Sequence, residues 1–237
     1  DQEIADLNFE TKYSRKEINL INWELPTFIT TGPIHHHSIL KYAKNKVFVE
    51  KPFYILGQSP KKYSIKPYVN YQWLNSSKLK CIKNFIGKDW EKLEIEMITT
   101  TNIKRNFSII EDFMPHIISI LFNNPNDILR IKNSKKINKT IFEFELEVNK
   151  KNIFIKLGIG EKRITKFKIK NILIISDDPY YIYMNQEKIN HKIDPISESV
   201  MRYLNYFAND ECENLFVSND FHERILNISR LLLENIN

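Results

Sequence analysis

Apolar and polar positions in this 237-residue chain follow two periods, and the change from one to the other marks out the elements. Residues 1–9 pattern as a short polar helix. The stretch 25–31, with Pro26, Phe28 and Ile29, reads as a buried strand closed by Gly32-Pro33. Residues 37–45 place Leu40 and Ala43 three apart with lysines on the other side, which predicts a helix. A second apolar strand, 47–49, ends at Pro52. Strand, helix and strand with short joints make a βαβ unit, whose crossover leaves the two strands parallel.

Past Ile65 the pattern changes. Residues 68–73 are strand-like, 76–85 suit a helix, and 93–99 alternate with period two. A helix over 109–122 precedes alternating segments at 140–148, 153–157, 164–176 and 180–184, separated by Asn, Lys, Gly or Asp turn residues. Strands in succession without helices between them predict a large, mostly antiparallel sheet with helices on one face. Helical patterns at 196–208 and 219–235 close the chain. The expected layout is therefore α/β plus α+β. Residues 1–55 form part of a Rossmann-type parallel layer, and 56–237 form an α+β domain whose last helix packs back on the first.

Composition narrows the function classes. An apolar content of 42% supports a real core and argues against disorder. The formal charge of +6 comes from lysines scattered in ones and twos, which reads as a solvated surface rather than a nucleic-acid stripe. Such a surface suits an anionic cofactor or a nucleotide-linked sugar. Cys81 and Cys212 are too few and too far apart for a disulfide framework or zinc cluster, so a reducing, cytoplasmic compartment and no metal are expected. No apolar run approaches the length of a bilayer span, so no membrane partner is expected.

Three places carry residue types that reactions need. In Glu50-Lys51-Pro52 a buried strand delivers a charged pair to the carboxyl edge of a parallel sheet, where ligands bind. There Lys51 could hold a substrate oxygen by a charge-assisted hydrogen bond; an exposed strand terminus is the alternative. Asp112 and His116 lie four apart on the next long helix and so share a face, either as a site or as a surface coincidence. Alcohol oxidation requires a base that titrates near neutral pH to take the hydroxyl proton, and histidine meets that requirement. Pro115 between them is tolerable only in a helix's first turn. Thr30-Thr-Gly-Pro-Ile-His-His-His37 reads as a loop after a parallel strand, because three adjacent histidines cannot converge on one ion.

In this order, Thr31, Pro33 and His37, then Glu50-Lys51-Pro52, then Asp112-x-x-x-His116, the chain resembles the Gfo/Idh/MocA family, the relatives of glucose-fructose oxidoreductase and inositol dehydrogenase. The resemblance spans essentially the whole sequence. Tyr68-Val-Asn-Tyr falls where that family begins its second domain, and Ile86-Gly87 precedes a sheet strand as the family's Ile-Gly does. It implies an NAD- or NADP-dependent oxidoreductase of a sugar or polyol. His116 is then acid/base, Asp112 the orienting group and Lys51 the polarising cation beside the nicotinamide. Thr31, Pro33, His37, Glu50, Lys51 and Pro52 are implied to line the cofactor, and Asn70 with Lys51, Asp112 and His116 the sugar-like substrate. A dimer or tetramer is implied too, through the open face of the second-domain sheet, taken to be broadly apolar.

The family's opening Gly-rich turn is absent. The sole Gly-x-Gly, Gly158 to Gly160, sits among antiparallel strands, so the expectation is that a strand and a βα unit normally precede Asp1. Asn106, Phe107 and Ser108 stand where the family has glycines, Met114 where it has a glycine after the Asp, and Ser119 where it has an acid. These departures motivate the alternative of a non-catalytic sugar-binding or assembly protein that keeps the fold but has lost cofactor binding.

Overall fold

The computed structural model describes residues 21–58, 63–74, 76–87, 90–100, 108–121, 129–178, 180–190, 193–209 and 219–236. The helix expected over 1–9 lies outside them, as do Asn106, Phe107 and Cys212.

Strands β1 (Thr27–Ile29), β2 (Val47–Glu50) and β3 (Tyr68–Asn70) form a small sheet in that order, with both pairings parallel. The central strand is Val-Phe-Val-Glu, and its apolar residues are almost completely buried, as a strand covered on both faces must be. A 3-10 turn, Pro33–His35, and helix α1 (His36–Leu40) cross between β1 and β2. The helix is shorter than its sequence pattern, because Tyr42 and Ala43 donate to Ile39 and Leu40 in tight turns that end it. Tyr68–Asn70 was expected to open the second domain; instead it pairs with β2, Phe48 opposite Tyr68, so the small sheet runs past residue 55.

Helix α2 (Ser77–Ile86) starts at Ser76, whose Oγ accepts from the Leu79 amide at 3.0 Å, and stops at Gly87, whose φ of 63° favours glycine. The large sheet follows. Strands β4 (Lys92–Thr99), β5 (Leu129–Lys136), β6 (Ile141–Val148), β7 (Lys151–Ile159), β8 (Ile164–Ile169), β9 (Ile172–Ile175), β10 (Tyr181–Met184) and β11 (Glu187–Asn190) lie in the order β11-β10-β9-β8-β4-β7-β6-β5. Every pairing is antiparallel except β4 with β7. The segment expected as one strand over 164–176 is a hairpin, turning at Lys170, where φ is 52°.

Leu93, Ile95, Met97, Leu146, Ile153, Leu157 and Phe167 point from this sheet into the core. Helix α3 (Ile109–Leu121) packs against β7 and α5 (Asn219–Glu234), burying Ile110, Met114 and Ile117 completely. Helix α4 (Pro195–Asn209) covers the parallel sheet, where Tyr203 meets Phe28, Phe48 and Tyr68. Packing on the small sheet thus falls largely to α4, while α5 crosses α3 and reaches the sheet's edge through His222. The opposite face of the large sheet is not the apolar surface expected from sequence. It carries cross-strand pairs such as Lys156 with Glu96 at 3.2 Å and Lys168 with Glu94 at 3.7 Å.

Candidate active site

Parallel strands that end together bring their last residues to one edge. Glu50 at the end of β2 stands in register with Asn70 at the end of β3, and the Asn70 amide donates to Glu50 Oε1 at 2.7 Å. Asn70 is 1% exposed, and its Oδ1 has no hydrogen-bond partner among the described residues. Thr31, just beyond β1, likewise has a buried Oγ1 without a partner. Buried oxygens of this kind are rare unless something else completes them.

Lys51 extends from this edge to α3. Its ammonium donates to Asp112 Oδ1 at 2.5 Å, with both side chains largely buried. One helical turn further along α3 lies His116, 6% exposed, its ring 5.5 Å from that of Trp73 and its Nδ1 without a hydrogen-bond partner among the described residues. Burial, then the nearby charges of Lys51 and Arg163, hold its imidazole well below the ordinary histidine range. At neutral pH the site therefore contains a neutral imidazole, a lysine ammonium and a carboxylate, which can accept a proton, polarise an oxygen and orient a hydroxyl.

The helix that presents Asp112 and His116 is fixed at its start. Ser108 and Glu111 form a reciprocal cap: the Ser108 amide donates to Glu111 Oε2 at 2.7 Å and the Glu111 amide to Ser108 Oγ at 3.2 Å. Glu111 Oε1 also accepts from the Leu56 amide at 2.6 Å, which ties the chain after Lys51-Pro52 to the same turn. Pro115 lies in mid-helix rather than in the first turn. The helix tolerates it because nearly every side chain from Ile109 to Leu121 is buried, and packing outweighs the missing backbone bond.

Of the residues expected to line a cofactor, Pro33 begins the 3-10 turn and Pro52 is buried after Lys51. The His37 ring stacks on Tyr54 at 4.6 Å and meets Phe53 edge-on, while Nδ1 hydrogen-bonds the Tyr63 hydroxyl. His36, not singled out in the sequence, donates from Nε2 to the Thr31 carbonyl at 2.8 Å and so fixes the loop at the β1 edge. His222 on α5 accompanies this cluster, with Nδ1 2.8 Å from the Tyr71 hydroxyl. Glu111, His36, His222 and Arg163 were all missed by sequence reasoning; only Ser108-x-x-Glu111 left a readable signal, that of a capping box.

The resemblance implies a nicotinamide cofactor along this edge. The partnerless oxygens of Thr31 and Asn70, aligned with Lys51 along the carboxyl edge, suit its nicotinamide-ribose end. Gly158-x-Gly160 cannot receive a pyrophosphate: a Cβ on Gly158 would lie 2.2 Å from the Thr140 carbonyl oxygen, so this glycine serves close strand packing.

No family model matches the chain, and no curated protein matches it by sequence. Solved structures do. A dehydrogenase from Clostridium difficile aligns with a TM-score of 0.70 at 12% identity, covering 99% of this chain and 85% of that one. UDP-N-acetylglucosamine 3-dehydrogenase from Acidithiobacillus ferrooxidans gives 0.69 at 10% identity, with 99% and 85% covered. A 3-ketoreductase from Actinomadura kijaniata, in complex with TDP-benzene and NADP, gives 0.65 at 8% identity, with 89% and 77% covered. The chain shares with these structures the fold of a small parallel sheet followed by a large mixed one.

Proposed function

We propose that this chain belongs to an NAD(P)-dependent oxidoreductase that acts on a sugar, with Lys51, Asp112 and His116 as its acid-base machinery. The observation that carries the reading is the Lys51–Asp112 ion pair, which joins the carboxyl edge of the parallel sheet to the helix bearing His116. Neighbouring structures with the same fold include a sugar-nucleotide dehydrogenase and an NADP complex of a ketoreductase, which supports both the reaction class and the cofactor.

In this reading Thr31, Pro33, Glu50 and Pro52 hold the nicotinamide-ribose end, with His37 shaping the wall behind it. The bound cofactor supplies or accepts the hydride. His116, neutral at pH 7, takes the proton from the reacting hydroxyl in oxidation and returns it in reduction, a role worth roughly 10²–10⁴ in rate. Lys51 donates a hydrogen bond to the reacting oxygen, stabilising the negative charge that develops there. Asp112 keeps that ammonium in place and, with Asn70, orients neighbouring hydroxyls. Trp73 covers the pocket beside His116 and limits water access.

The test is single-turnover reduction of a nucleotide-linked keto-sugar with NADPH by the full-length protein. Lys51→Ala and His116→Ala should each lower turnover by ~10²-fold or more, while the NADPH dissociation constant, followed by fluorescence, shifts far less. Undiminished turnover in both variants would remove the two residues from the mechanism. Sugar binding with neither NADPH binding nor conversion would favour a sugar-binding or assembly role.

A further inference from the structure

Lys51 opens a segment that is neither helix nor strand. Residues 51–58 leave the end of β2 in turns and irregular chain, yet Pro52, Phe53, Tyr54 and Ile55 are buried. Buried amides outside helices and sheets need acceptors from elsewhere, and here side chains provide them. The Leu56 amide donates to Glu111 Oε1 at 2.6 Å and the Ile55 amide to Gln58 Oε1 at 3.0 Å. The Phe53 amide, two residues after Lys51, donates to the hydroxyl oxygen of Tyr71.

Tyr71 follows β3 and is 6% exposed, so its own proton needs a partner too. His222, buried on α5, supplies one, with Nδ1 2.8 Å from the hydroxyl. The direction of this bond follows from the neighbours. The Phe53 amide already donates to the oxygen, so the hydroxyl hydrogen points to Nδ1, and His222 carries its own proton on Nε2. Burial, then the charges of His37 and Lys66, lowers the His222 imidazole to about 3, so it keeps that lone pair at neutral pH. Burial also raises the Tyr71 phenol, which stays protonated. The rings reinforce the contact, His222 lying 4.8 Å from Phe53 and 5.5 Å from Tyr71 between centroids. Two hydrogen bonds in series therefore run from α5, through the residue after β3, to the backbone beside Lys51.

We propose that Tyr71 and His222 are positioning residues for Lys51: His222 fixes the Tyr71 hydroxyl, and Tyr71 fixes the Phe53 amide and with it the chain that bears the lysine. A lysine has a flexible four-carbon stem, so its direction depends on its backbone and on the carboxylate it meets, here Asp112 Oδ1 at 2.5 Å. Glu111 anchors the far end of the segment at Leu56, and Tyr71 anchors the near end. The C-terminal helix thereby takes part in placing a group on the opposite side of the small sheet's edge. That this placement serves turnover rests on the oxidoreductase reading; that it restrains Lys51 does not.

The variants are Tyr71→Phe, which removes the hydroxyl, His222→Phe, which keeps a ring but no acceptor, and His222→Asn, whose side-chain oxygen can take the place of Nδ1. All are made in the full-length protein. NADPH-linked turnover should fall about tenfold in Tyr71→Phe and His222→Phe with the NADPH dissociation constant little changed, and His222→Asn should recover most of the loss. Hydrogen exchange at the Phe53 amide should quicken in the two phenylalanine variants, while exchange at Leu56, held by Glu111, should not. Trace acetylation of Lys51, followed by peptide mass, should rise several-fold in the same two, because an ammonium less firmly placed on Asp112 is more open to reagent. The proposal is overturned by lost turnover with Phe53 exchange and Lys51 labelling unchanged, by equal losses in His222→Asn and His222→Phe, or by a Tyr71→Phe protein that behaves as the parent. Exchange and labelling as expected, in a parent protein that turns over no keto-sugar, leave the restraint on Lys51 standing and remove the oxidoreductase reading instead. Should the melting curve show that one variant does not fold, substitution at the other position carries the same three readouts.

Discussion

Among the described residues, burial lowers the imidazoles of His36, His116 and His222, and each makes stability depend on acid. His36 is fully buried, and burial lowers its imidazole from 6.5 to about 4. An unfolded His36 binds a proton near pH 6.5 and the folded one only near 4. Its share of stability is therefore complete above about 6.5, falls as pH drops through that window and levels off below it, a loss of ~3 kcal/mol in full. His116 and His222 act in the same direction. Glutamine keeps an N–H for the Thr31 carbonyl but does not titrate. Between pH 7 and pH 4.5 the urea midpoint of His36→Gln should therefore fall less than that of the parent protein, and equal losses would refute the assignment. Residue type and order marked Lys51, Asp112 and His116 as candidates beside the alternatives of a strand terminus and a surface coincidence, and the fold brings Lys51 to Asp112. Residue type could not separate His35, His36 and His37. Only the fold sends one imidazole to the Thr31 carbonyl and the next into a stack on Tyr54.

At the scale of elements, the site depends on how α3 begins. Glu111 is 4% exposed and holds the Ser108 and Leu56 amides, so one carboxylate caps the helix and fastens the chain that follows Lys51. Glu111→Ala leaves both amides without their acceptor and should cost about 2–3 kcal/mol. Hydrogen exchange at Leu56 and Ser108 should accelerate together, with Glu111→Gln intermediate. A melting temperature unchanged from the parent would show that the carboxylate does not tie the two segments. Sequence periodicity located α3 and the inner strands because their apolar positions recur with a clear period. It missed β5 and β11, the two edges of the large sheet, where Leu129-Arg-Ile-Lys-Asn-Ser-Lys-Lys136 and Glu187-Lys-Ile-Asn190 offer little apolar alternation. Charged edges of this kind resist pairing with other chains, and the property that protects them also hides them from hydrophobic patterning. Pro115 misled in the opposite direction, since a residue that breaks isolated helices sits in one held by its surroundings.

At the scale of the molecule, the two sheets divide the labour. The small one aligns strand ends, and the large one supports α3 on one face and leaves the other open. That open face was expected to be apolar and to join copies of the chain. Across one row of it Lys166, Glu96, Lys156, Glu143 and Lys135 follow one another on β8, β4, β7, β6 and β5 in cross-strand register, alternating in sign. Lys156 and Lys166 lie 3.2 and 4.0 Å from Glu96, and Phe154 and Leu173 interrupt the neighbouring row. Contacts that copies make through such a surface are polar and unlike those of a hydrophobic dimer. Salt screens exposed charges over about 10 Å at 0.1 M and about 3 Å at 1 M. The mean mass in sedimentation should therefore fall between low and high ionic strength at constant protein concentration. A mass that rises with salt would place the contact on an apolar surface elsewhere, and a monomer at every ionic strength would mean that this face stays in water.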